Sequence, residues 1–120
     1  MAFGATLTVT INAVAKVLNR INQDNYGSEY MLRSTTDEFR VKIRHSKENS
    51  KNGVVMERHN VEITHTIFAT ATVEEAVRTA YIIVRGKLND DVTPLGYLLA
   101  GFTTYVSNST VQADLLSWQS

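Results

Sequence analysis

The residues best placed to do chemistry stand on one short stretch, Phe39-Arg40-Val41-Lys42-Ile43-Arg44-His45. Successive strand side chains point to opposite faces. Arg40, Lys42 and Arg44 therefore share one face, while Val41 and Ile43 take the other. Arg33 and Arg58, on flanking segments of the same alternating character, are expected to join the cations. Asn60, Thr64 and Thr66 add hydrogen-bonding groups to that face, and Glu62 counts among its candidate binding residues. A flat surface with up to five cations suits a phosphate backbone, where neutralising charge releases counterions. An asparagine there can read a base edge. The competing reading is the solvated outer side of an antiparallel sheet. Glu29 and Glu62 fall on the same face by parity and weaken its field.

Three histidines raise a metal reading. His45, His59 and His65 all fall on the apolar side by alternation, and an even hairpin register brings His45 and His59 together. Metal ligands need such convergence. With no Cys and no carboxylate expected on that face, partly buried histidines at a sheet edge or subunit contact are the better account, and no metal or other cofactor is expected. Catalytic arrangements are weak. Glu74 and Glu75 are explained by a helix start, Asp90-Asp91 by a turn, and no serine sits in a nucleophile elbow. No phosphate-binding glycine loop is present. The sequence therefore reads as a non-enzyme, with a histidine-based metalloenzyme as a remote alternative.

The whole-chain arithmetic bounds these readings. The chain has 120 residues, 43% hydrophobic and 20% charged, with 12 Lys+Arg against 12 Asp+Glu. That is one ordinary globular domain, neither disordered nor basic throughout. The absence of cysteine excludes disulfides, thiolate zinc sites and a cysteine nucleophile. The longest apolar run, Ala80 to Val84, falls far short of the ~20 residues that cross a bilayer, so no membrane partner is expected. Met1 to Ala5 carry neither the basic nor the apolar region of a signal peptide, and none is expected.

The elements that must position the cationic face read as strands followed by helices. Thr6 to Ile11 alternates strictly. Ala13 to Gln23 is ambiguous: Val14, Val17, Leu18 and Ile21 have helical spacing, yet the segment also passes as a strand. Glu29 to Ser34 and Phe39 to His45 are strands, Ser46 to Gly53 is a polar loop ending in the turn pair Asn52-Gly53, and Val54 to Phe68 is a long strand. The period then changes. Thr72 to Glu75 has the form of a capping box, and Val73, Ala76, Val77, Ala80, Tyr81 and Val84 recur at helical spacing up to a stop at Gly86. Thr93-Pro94 opens a second helix, with Leu95, Leu98, Leu99, Phe102 and Val106 as its stripe. Val111 to Trp118 is a helical or extended tail. The fold class is α+β, with residues 6–70 β-rich, 72–106 helical and 107–120 a tail. Both helices are apolar on more than one side, which calls for burial against a second subunit.

This order of elements resembles the coat proteins of single-stranded-RNA (levivirus-like) bacteriophages. The resemblance is strongest from His59 to Arg85, with its Ile67-Phe68-Ala69-Thr70 strand exit. It extends through Phe39 to Lys47 and Glu29 to Ser34, and covers about residues 6 to 106. It implies an N-terminal hairpin, an antiparallel sheet and two helices, with a strand over Ala15 to Asn22. It also implies dimers with a continuous sheet and interlocked helices, assembled into an icosahedral shell around genomic RNA. The Ser46 to Gly53 loop would make symmetry-axis contacts, and without cysteine it would carry no disulfide links. Repression of replicase translation through an RNA stem-loop, assembly in the bacterial host cytoplasm and residence in the virion follow from the same resemblance. Arg33, Lys42 and Asn60 match an arginine, a lysine and an asparagine that face RNA in the family. Arg40 and Met31 replace small polar residues, and Arg58 replaces a base-stacking aromatic. These departures point away from the familiar stem-loop specificity and leave general RNA binding. The alternative is a small dimeric RNA-binding regulator that forms no shell.

Overall fold

The computed structural model describes residues 3–49 and 52–119. Its strands are β1 (Thr6–Ile11), β2 (Val14–Asp24), β3 (Gly27–Arg33), β4 (Asp37–Asn49), β5 (Val55–Ile67) and β6 (Ala76–Lys87). They form one sheet in the order β1-β2-β3-β4-β5-β6. The helices are α1 (Val92–Val106) and α2 (Ser109–Leu116). The chain divides into two compact units, one up to Arg85 and one from Gly86 onward.

In the sheet unit the core lies on one face. Leu18, Tyr30, Phe39, Val41 and Ile43 are buried, with Leu7, Val9, Leu32 and Ile63 packed against them. Alternation places these residues together: Tyr30 pairs with Val41 and Leu32 with Phe39 across β3 and β4, and Val41 pairs with Ile63 across β4 and β5. The Tyr30 hydroxyl donates to the Gly4 carbonyl at 2.6 Å, which ties the N-terminal segment over the core. On the same face the Lys16 ammonium lies 5.3 Å from the centroid of the Phe39 ring, a cation–π contact.

The ambiguous segment is strand β2, entered by a two-residue turn at Asn12 and Ala13 between the paired Ile11 and Val14. Both turn residues have positive φ, 51° and 62°, the pattern of a type I′ hairpin. Pairing with β1 and β3 satisfies the backbone of β2 on both sides, and tertiary pairing overrides its helical spacing. The polar loop is shorter than the sequence implies. β4 runs on to Asn49 and β5 resumes at Val55, while Ser50 and Lys51 lie outside the described residues.

The helix expected over residues 72–85 is not formed; β6 occupies most of that stretch. Thr79, Tyr81, Ile82, Ile83 and Val84 are β-branched or aromatic, stiff at χ1 and suited to a pleated surface. Their composition outweighs the helical spacing. Thr72 caps no helix. The Thr70 hydroxyl instead accepts from the amides of Thr72 and Val73 in a turn. Gly86 has no left-handed conformation. It belongs to β6, and a Cβ there would come within 2.9 Å of a Leu95 methyl.

In the helical unit, α1 starts at Val92. The Asp91 carboxylate caps it, accepting from the Thr93 amide at 2.9 Å. Pro94 sits in the first turn, where its missing N–H is no loss. The tail is helix α2, capped by Asn108, whose side chain accepts from Thr110 and Val111.

An alanine in left-handed conformation is strained by about 1–2 kcal/mol, which glycine avoids. Ala13→Gly is expected to raise the unfolding free energy by about 1 kcal/mol, read as a shifted urea midpoint with unchanged slope.

Candidate nucleic-acid interface

The face of the sheet opposite the core carries every residue singled out for binding nucleic acid. On β4 these are Arg40, Lys42 and Arg44. Across β5, Thr64 pairs with Arg40, Glu62 with Lys42, Asn60 with Arg44 and Arg58 with Ser46. On the other side Arg33 pairs with Glu38. The expected sorting of all eight side chains onto one face is found, because an uninterrupted register from Asp37 to Asn49 preserves their parity.

The face is nonetheless far from a bare cationic strip. Arg40 binds Glu29 and Glu38 through its two terminal nitrogens. Arg33 binds the same Glu38 oxygen through Nε and Nη2. Arg44 reaches Asp24 at 3.2 Å. Asp24 and Glu38 thus join Glu29 and Glu62 among the acidic groups of this surface. Parity in β4 already places Glu38 with Arg40, so that acid was legible. The β2 bulge between Arg20 and Asn22 was not, and it lies on the strand that brings Asp24 opposite Gly27. Gly27 also lets Arg44 lie close: a Cβ at that position would meet the Arg44 side chain at 2.8 Å and the Ile43 carbonyl at 2.5 Å.

Three of the five cations are therefore spoken for. Among the described residues, Lys42 and Arg58 have no carboxylate within 4.0 Å. Asn60 contributes a buried side-chain carbonyl oxygen to which no group among the described residues donates. A buried, unsatisfied acceptor costs about 1–3 kcal/mol until a donor arrives.

The ion pairs have an electrostatic signature. Hydrogen bonds from Arg33 and then Arg40 hold the Glu38 carboxyl below its ordinary range, against the opposing effect of its burial. At the start of β4, bonds from Ser34 and then His65 do the same for Asp37. Glu29 and Glu38 together raise the Arg40 guanidinium above its ordinary value, so Arg40 stays charged wherever the protein is folded.

On the core face, His65 stacks on Phe39 with centroids 4.1 Å apart and bonds Asp37 at 2.9 Å. His45 and His59 are direct cross-strand partners, Nδ1 to Nδ1 at 2.9 Å. The expectation that no carboxylate shares their face was wrong. Glu57, two residues before His59 and of the same parity, stands 3.6 Å from His59 Nε2.

Depressed carboxylates contribute stability above their unfolded pKa and lose it as pH falls through the folded value. The unfolding midpoint should hold from neutral pH down to about 5 and drop below about 4, and Glu38→Gln should flatten that drop. Arg40→Ala leaves Glu29 without its ion-pair partner and Glu38 with Arg33 alone. It is expected to cost about 1–3 kcal/mol in denaturant titration.

Comparison with known proteins agrees with this architecture. No curated protein matches the sequence. Solved structures share the fold at low identity. The virus-like particle of Beihai levi-like virus 21 superposes with a TM-score of 0.76 at 11% identity, covering 97% of this chain and 95% of that one. The bacteriophage EMS014 coat protein gives 0.58 at 17% identity, covering 82% and 68%. The family described as phage phiCb5, coat protein, matches residues 4–87, the stretch that spans all six strands. With most of its length matched in this way, the chain belongs to the phage phiCb5 coat protein family and is a structural capsid protein of a bacteriophage.

Proposed function

We propose that this coat protein dimerises, assembles into an icosahedral shell and packages single-stranded RNA against the charged face of its sheet. The observation that carries the reading is the unmet apolar surface of the helical unit. Neither α1 nor α2 has a buried residue. Tyr97, Leu98, Phe102, Leu115, Leu116 and Trp118 are all more than half exposed, Trp118 at 94%. An exposed apolar surface of this kind marks an interaction site, and in a self-assembling shell the partner at hand is a second copy of the chain.

RNA binding rests on the sheet face. Lys42 and Arg58 are the cations that meet phosphates without first breaking an ion pair. Arg33, Arg40 and Arg44 organise the surface and strengthen binding already established. The orphaned acceptor of Asn60 suits an amino group on a base edge. The balanced charge elsewhere favours modest, sequence-tolerant packaging over one tight stem-loop, so translational repression is the least supported part of the family behaviour. Assembly in the host cytoplasm and residence in the virion follow from this role.

Expression followed by negative-stain microscopy and size-exclusion chromatography tests the reading. Particles with a nucleic-acid absorbance signature are expected. A monomer without particles overturns it, and a stable RNA-binding dimer without particles supports the regulator instead. Lys42→Ala/Arg58→Ala should lower the RNA content of particles. It should also reduce the salt slope of dimer–RNA binding by about 1.4, or about 0.7 for each phosphate no longer neutralised. Equal RNA content would mean that the face is only solvated.

A further inference from the structure

We propose that His45 and His59 form a bis-imidazole site for a divalent late first-row transition ion such as Cu2+ or Ni2+, with Glu57 as its outer-shell support. The two rings come from facing strands and are direct register partners. They meet edge to face with their planes at 68°, and their Nδ1 atoms are 2.9 Å apart. Two nitrogens each about 2.05 Å from one metal are about 2.9 Å apart when they occupy neighbouring positions at a right angle. That is the cis arrangement of tetragonal Cu2+ and Ni2+ sites, and imidazole is a favoured donor for both.

The proton arrangement also fits. A contact between two Nδ1 atoms holds a single proton. Glu57 lies 3.6 Å from His59 Nε2 and favours the proton on that nitrogen, which leaves His59 Nδ1 with a free lone pair. His45 Nδ1–H is then the donor in the pair. When the ion enters, the His45 proton moves to its own Nε2, a small ring rotation aims both Nδ1 lone pairs at the metal, and no net proton is released from neutral rings. A carboxylate behind a ligating histidine is the usual outer-shell device. Lys47, paired with Glu57 across the strands, is the cation facing this group. Both histidines reach solvent, His59 with 40% of its side chain accessible, so an ion has a path in. Among the described residues no group of three His, Cys, Asp or Glu side chains is poised to hold a metal. The remaining coordination positions therefore go to water. His65 sits on the same face but is engaged by Asp37 and Phe39, which makes it an internal control.

Calorimetric titration of the full chain with Cu2+ and with Ni2+ near about pH 7.5, repeated near about pH 5, tests the site. Saturation at one ion per chain is expected at the higher pH and its loss at the lower. His45→Gln and His59→Gln should each abolish that binding, His65→Gln should leave it, and Glu57→Gln should weaken it about tenfold. In the unmodified protein, the electron paramagnetic resonance spectrum of bound Cu2+ should show coupling to two nitrogens. No saturable binding, unchanged stoichiometry in His45→Gln, or a spectrum with one nitrogen or none would overturn the assignment.

Discussion

A single extended backbone can send each side chain to only one of two sides, and β4 shows what depends on that. Phe39, Val41 and Ile43 enter the core while Arg40, Lys42 and Arg44 stand on the reverse. A slip of one residue would bury three cations and expose three core residues together. The pairing is held from both flanks. β3 meets β4 without a break from Gly27 to Arg33, and β5 meets it from Val55 to Ile67. Core packing and the charged surface are therefore one decision made by one register.

What was legible in the sequence follows from this. Where one period is uncontested, as in Thr6 to Ile11 or Phe39 to His45, residue type and spacing agree and the strands are found where expected. The eight candidate positions share one face, as alternation predicts, for the same reason. The segment from Ala13 to Gln23 satisfies two periods at once; its pairing with neighbours on both sides chose the strand, a fact outside any local window. The failure over residues 72–85 has a different cause. Helical spacing and a convincing cap signal were present, but the β-branched run Ile82-Ile83-Val84 follows Thr79 and Tyr81, and composition prevailed over spacing. Ion pairing between Arg44 and Asp24 depended on how β2 pairs with β3 past its bulge, which no count along one strand reveals.

The balance of charge on the interface also changes how it has to be understood. Counting cations describes a strip built to attract any polyanion. The geometry describes a lattice in which Glu38 is shared by two arginines and Arg40 by two glutamates. Such a lattice orients its members and restrains their side chains, so its contribution is order as much as field. The long-range attraction it leaves is small, and engagement of a partner depends on the few groups that remain uncommitted.

The sheet order is the order of the chain itself, each strand lying beside its immediate predecessor. The pairings from β1 through β5 are all hairpins, so little loop entropy opposes any one of them. A chain emerging from the ribosome can add each strand to the one already formed, with no wait for a distant segment. The sheet can be complete before the last helices are synthesised, and monomers can mature quickly enough to feed an assembly that consumes them in large numbers.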